Sequence, residues 1–204
     1  MVIGLLAVTA IPTVTGVGNA VSAQKRENAA SKEQEKFHLT AVYGDEEDKE
    51  SPHCVLKDKR LVTDLDGHVQ VPGYQFCGYY FTYPNEEKQL GLVSTISDDP
   101  PMLNWIFVNK DTHALEFGSR KETLGHVVGP WGWTDDEAFL TLQGSSDSFV
   151  GRWEDDADGQ GGGSWAVYWD PEGEMLGALS EEECVEIRLR RRPLFGLESR
   201  YVRH

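Results

Sequence analysis

Residues 184–190 read Cys-Val-Glu-Ile-Arg-Leu-Arg, and their alternation decides the fold. Val185, Ile187 and Leu189 fall on one side of an extended chain, and Glu186, Arg188 and Arg190 fall on the other. A two-residue period separates the two sets, whereas a helix, turning about 100° per residue, would scatter them around its circumference. Upstream, residues 165–169 read WAVYW, with Trp165, Val167 and Trp169 on one face and Ala166 and Tyr168 on the other. A strand apolar on both faces belongs inside a sheet rather than at its edge.

Working outward, short segments rich in Val, Ile, Phe, Tyr and Trp recur between Gly, Pro, Asp and Asn, the pattern of strands and turns. They include HVQV (68–71), the stretch around YYF (79–81), LGLVSTI (90–96), GHVV (125–128), FLTL (139–142) and FVGRW (149–153). WIFV (105–108) and HALEF (113–117) flank a polar loop and predict a hairpin. Residues 134–138 and 180–183 predict single helical turns, and no internal repeat stands out. The expected fold is mainly β, an antiparallel meander closed as a barrel or packed as a sandwich, preceded by an N-terminal apolar helical segment.

The 204 residues include 19 Lys and Arg against 34 Asp and Glu, a formal charge of -15. A phosphate backbone calls for a basic surface, so no nucleic-acid partner is expected. At 39% hydrophobic, the chain has the apolar content for a folded core. Cys54, Cys77 and Cys184 are odd in number and widely spaced, with no CxxC pair. Separate thiols, mostly buried, are the favoured reading; one long-range disulfide beside a free thiol is the alternative.

Composition divides the chain into an apolar segment at 1–23, a polar helix and acidic linker at 24–50, and an acidic β domain at 51–204. Residues 1–23 hold no charged side chain, and Lys25 and Arg26 follow. Three readings compete: a membrane helix, a cleaved secretory signal without its basic leader, and an arm packed on this protein or a second copy. Leu5, Leu6, Val8, Ile11, Val14 and Val17 would make its contacts. An intracellular, membrane-associated location is favoured over secretion after cleavage. QKRENAASKEQEKF (24–37) has the propensity of an exposed helix, and the acidic run 45–50 reads as a solvated loop.

Trp131 and Trp133 sit beside Pro130 and Gly132, where a turn would display an indole next to Asp135, Asp136 and Glu137. Such a shelf suits a sugar or a cationic side chain, although a packed aromatic core is the plainer role for most of the six Trp. Residues 130–183 carry 14 acidic and one basic side chain, whereas 184–204 carry six Arg and two Glu. Arg188, Arg190, Arg191 and Arg192 therefore form a basic patch, suited to pairing with the acidic body or another subunit and secondarily to lipid or phosphate. Glu154, Asp156 and Asp158 before Gly159 resemble half of a calcium loop, but Trp165 stands where the closing Glu would be needed. No metal, cofactor or nucleophilic triad is predicted, and no two carboxylates can be placed across a substrate.

GLVSTISDDPPMLNWIFVNKDTHALEFG (91–118) and HVVGPWGWT (126–134) resemble an uncharacterised family of small acidic proteins from filamentous ascomycete fungi. MVIGLLAVTAIPTVTGV (1–17) and WAVYWD (165–170) are similar to the same group. The resemblance implies one domain with an unusual N-terminal segment and lends no activity or site residue. The function expected is a non-enzymatic binding or scaffold protein, using the apolar arm and the Trp-rich acidic domain. A small hydrolase or carbohydrate-active enzyme with paired carboxylates is the first alternative, and a homo-oligomeric structural protein is the second. The partners expected are a protein or a second copy, with a membrane through residues 1–23 and a carbohydrate ranked behind.

Overall fold

The computed structural model describes residues 32–44, 51–65, 71–155 and 163–198. The chain divides into two compact units, Met1–Glu33 and Gln34–His204, and the β structure belongs to the second. Its strands are β1 (Glu35–Val42), β2 (Val55–Lys57), β3 (Arg60–Thr63), β4 (Tyr74–Gln75) and β5 (Gly78–Thr82). Then come β6 (Leu90–Asp98), β7 (Pro101–Val108), β8 (Leu115–Gly118), β9 (Trp131–Trp133) and β10 (Leu140–Leu142). Last are β11 (Phe149–Asp155), β12 (Gly163–Trp169), a short helix α1 (Glu174–Ala178) and β13 (Cys184–Glu198).

Nine strands close a ring in the order β12-β11-β13-β1-β5-β6-β7-β8-β3, with β3 returning to β12; β2 and β4 extend outward from β3. Every neighbouring pair is antiparallel. Straight strands alternating up and down cannot close an odd ring, because the ninth would run parallel to the first. The closure therefore depends on strands that turn as they change partners. β13 shows this directly: Cys184 to Ile187 pair with β11, and from Arg188 onward the strand pairs with β1. The β1–β5 and β3–β8 contacts are single residue pairs, Phe37 with Gly78 and Arg60 with Glu116. Of the two expected architectures the structure is the barrel, and the meander order of consecutive neighbours holds from β5 to β8.

The ring is filled by alternating residues: Phe37, Leu39 and Ala41 from β1, Ile187 and Leu189 from β13, and Phe149 and Val167 from the β11–β12 hairpin. Each large side chain so buried contributes about 1.5–3 kcal/mol relative to exposure. β12 is apolar on both sides for a reason: Trp165, Val167 and Trp169 face this core, while Ala166 and Tyr168 join Val62, Val150 and Cys184 in a second cluster. Met175 and Leu179 pack against that outer cluster.

Several local expectations are corrected. Residues 35–37, expected in a helix, begin β1, and the barrel starts there rather than at residue 51. Phe37, Leu39 and Ala41 alternate, and pairing with β13 overrides the local helix propensity of the charged residues before them. WGW, expected as a turn, is a strand paired with β10. Residues 125–128 form no strand but one bridge, Val127 with Val108. The β7–β8 hairpin is as expected, joining Val108 to Leu115. α1 was not anticipated. The strand expected at 68–71 and the apolar N-terminal helical segment fall largely or wholly outside the described residues. Among the described residues, no helix is long and apolar enough to cross a membrane.

Candidate functional site

The two surfaces singled out in the sequence, the Trp131 turn and the Arg cluster, lie against each other. Trp131 is only 2% exposed and its ring is stacked near-parallel on Phe149, with centroids 6.4 Å apart. It is a core residue, not a displayed shelf. Trp133 is half-buried against Tyr80 at 4.8 Å, and the Tyr80 hydroxyl donates to the Gly132 carbonyl at 2.5 Å. In the following loop Asp136 accepts from the Thr134 hydroxyl and from the Ala138 amide, which hold its carboxyl below the usual range. Asp135 is exposed, and Glu137 sits at a positive φ of 59°.

The four arginines are divided by the period of β13. Arg191 continues the inward set begun by Val185, Ile187 and Leu189 and is 5% exposed. Its guanidinium lies over Trp133 at 4.6 Å and over Phe37 at 5.3 Å, and it donates to Glu35 at 3.0 Å, with Glu137 at 3.9 Å. Its amide also donates to the Ala138 carbonyl at 2.7 Å. Arg191 is thus an internal brace fastening the β9–β10 hairpin to the barrel. Arg188 and Arg190 point the other way and cover the Phe139 ring at 4.3 and 5.2 Å. Arg192 is exposed opposite His38. Burial, with His38 and Arg192 nearby, holds the His53 imidazole below its ordinary value.

A different place offers a ligand more room. The inner face of the β11–β12 hairpin runs out to solvent at Trp153 and Trp165, which pair across the strands. Their rings meet edge to face, with centroids 5.7 Å apart and planes at 71°. Trp153 is 38% exposed, whereas Trp165 is nearly buried. They border an open cleft of about 390 Å³ whose apolar wall is Leu65 and Val185 and whose remaining lining is Tyr43, Glu181 and Glu182. Glycines make the corner: a Cβ on Gly163 would fall 2.1 Å from the Trp153 ring, and one on Gly151 would fall 3.0 Å from Leu65. The Trp153 Nε1–H donates to Asp155 at 3.1 Å, which fixes the indole's direction. The cleft leaves no contiguous mark in the sequence, since Tyr43, Trp153 and Glu181 are far apart in the chain. The available signal was Trp153 itself, in phase with inward-facing Phe149 and Gly151.

Elsewhere, Glu35, Glu122, Glu154, Asp170 and Glu183 are carboxylates committed to structure. Glu154 accepts from Arg60 at 2.9 Å and from the Tyr168 hydroxyl, so this half-calcium-loop residue sits in an ion pair. Asp156 and Asp158 lie outside the described residues, as do Leu5, Leu6, Val8, Ile11, Val14 and Val17. Among the described residues, no three His, Cys, Asp or Glu are gathered to hold a metal. The three thiols are separate, Cys54 and Cys184 buried and Cys77 half-buried.

Fold and site together define a closed antiparallel β-barrel protein that carries an aromatic cleft on its surface. The chain belongs to the fungal beta-trefoil domain family, whose model matches residues 16–194. No curated protein and no solved structure matches it.

Proposed function

We propose that this chain is a non-enzymatic binding or scaffold protein. Its β domain holds a ligand in the Tyr43–Trp153–Trp165 cleft, and the apolar arm at 1–23 attaches that domain to a partner surface. The cleft carries this reading: a tryptophan left 38% exposed yet held in one orientation by Asp155 and Gly163. A volume of about 390 Å³ suits a small molecule or a peptide side chain. Paired-carboxylate hydrolysis needs two acids facing across a substrate, whereas Glu181 and Glu182 are consecutive in one turn. The arm's uncharged composition supports attachment, since removing apolar surface from water contributes about 25 cal/mol per Å².

Tryptophan emission of the full chain, titrated with simple sugars, quaternary ammonium salts and amino-acid amides, tests the cleft. A saturable change that Trp153→Ala abolishes is expected. Turnover of a nitrophenyl glycoside or ester that is lost in Glu181→Gln or Glu182→Gln would overturn the non-enzymatic reading. Fractionation of matched full-length and 24–204 proteins tests the arm. Release on deletion is expected, and unchanged partitioning overturns that part.

A further inference from the structure

We propose that the cleft recognises a cation sheathed in methyl groups, namely a quaternary ammonium or a methylated lysine side chain. This rests on the binding reading above and names the ligand class of the same site. The described lining comprises three aromatic rings, two carboxylates and two aliphatic side chains, with no Lys, Arg or His. Trp153 and Trp165 pack edge to face with their planes at 71°, and both border the cleft, which gives it an aromatic corner. An indole face is the strongest aromatic partner for a cation, and aromatic cages are a recurring way to hold quaternary ammonium groups.

Three features favour a cation over a neutral sugar. Glu181 and Glu182 place two carboxylates at the cleft, and Asp155 adds a third beside the Trp153 nitrogen. Residues 130–183 carry 14 acidic side chains against one basic, and Trp153, Trp165, Glu181 and Glu182 of the lining belong to this acidic stretch, a composition that favours a cation over an anion. A sugar presents hydroxyls of both donor and acceptor character, whereas the described polar lining is dominated by acceptors. Methylation matters because a bare ammonium is strongly hydrated and would keep its water in so open a cleft. Methyl groups weaken that hydration and add apolar contact with the rings, Leu65 and Val185. The Trp153 ring is already set by Asp155 and by the absence of a side chain at Gly163, so little ordering remains to be done on binding.

The test is a titration of the full-length protein at constant ionic strength with choline, trimethyllysine amide, lysine amide and glucose, following tryptophan emission and calorimetric heat. Trimethyllysine amide is expected to bind at least tenfold more tightly than lysine amide, and choline is expected to bind detectably. Trp153→Ala should weaken both by at least tenfold, Trp153→Phe should restore part of the loss, and the Glu181→Gln/Glu182→Gln pair should weaken them several-fold. Unchanged melting of each variant confirms the fold. Glucose binding that depends on Trp153, without choline or trimethyllysine binding, overturns the cation assignment and leaves the binding reading standing. Equal affinity for lysine and trimethyllysine amides overturns the methyl requirement and with it this inference. No response to any probe overturns both.

Discussion

Gly78 and Gly163 both lack a side chain where one would collide, but the collisions differ in kind. A Cβ on Gly78 would lie 2.5 Å from the Val93 carbonyl oxygen and 2.4 Å from the Phe76 ring, both held inside the barrel. Gly78→Ala is therefore expected to cost about 1–3 kcal/mol, read as a lower urea midpoint. At Gly163 the obstacle is the Trp153 indole at the solvent edge of the hairpin, so a methyl there displaces that ring from its seat without disturbing the barrel interior. Gly163→Ala should leave the midpoint within about 0.5 kcal/mol while shifting Trp153 emission and weakening ligand binding. Cys54 offers a pH test. Burial pushes its thiol up to about 12, against an ordinary value of 9.0, with the neighbouring Thr63 hydroxyl opposing the shift in part. A raised folded value means that the neutral thiol is the form the fold prefers. Its contribution is fully present below about pH 9 and is lost as pH rises toward 12. The fall in stability between those limits should be shallower in Cys54→Ala than in the parent, and identical slopes would refute the assignment.

At the scale of elements, α1 is too short to stand alone and depends on Asp170. That buried carboxylate accepts the amides of Glu174 and Met175 at 2.9 Å and of Leu176 at 3.2 Å. Asp170→Ala should cost about 1 kcal/mol and strip exchange protection from those three amides while sparing the barrel amides. Nothing in the sequence announced α1, because its five residues give no periodicity to read. β12 and β13 were legible because their alternation is long enough to exclude a helix. β1 was missed because lysines and glutamates precede its short alternating run. WGW read as a turn because Gly and Pro neighbours outweigh a pairing that lies with Leu140, Thr141 and Leu142. Arg191 was grouped with its neighbours by charge, although the same two-residue period that identified β13 separates it from them. The cleft was hidden for a different reason: it exists only once the hairpin register sets Trp153 against Trp165 and the fold brings Tyr43 and Glu181 alongside.

For the whole molecule, a charge of -15 on 204 residues is a repulsive load that the barrel carries at neutral pH. Raising sodium chloride from about 0.05 to about 0.5 M shortens the screening length severalfold and should lift the melting temperature by a few degrees. A flat or falling melting temperature would show that self-repulsion does not limit stability. The seam between β1 and β13 carries a separate consequence for biosynthesis. Until residues 188–198 emerge from the ribosome, β1 lacks the partner it pairs with along its length, and the growing sheet has open edges. Unpaired edges beside Phe37 and Leu39 invite association with other chains, so a chain that has β1 but not yet residues 188–198 is expected to be the aggregation-prone stage of synthesis. A chain cut short at residue 187 is expected to aggregate however sound its local sequence, and a soluble, folded 1–187 protein would refute this.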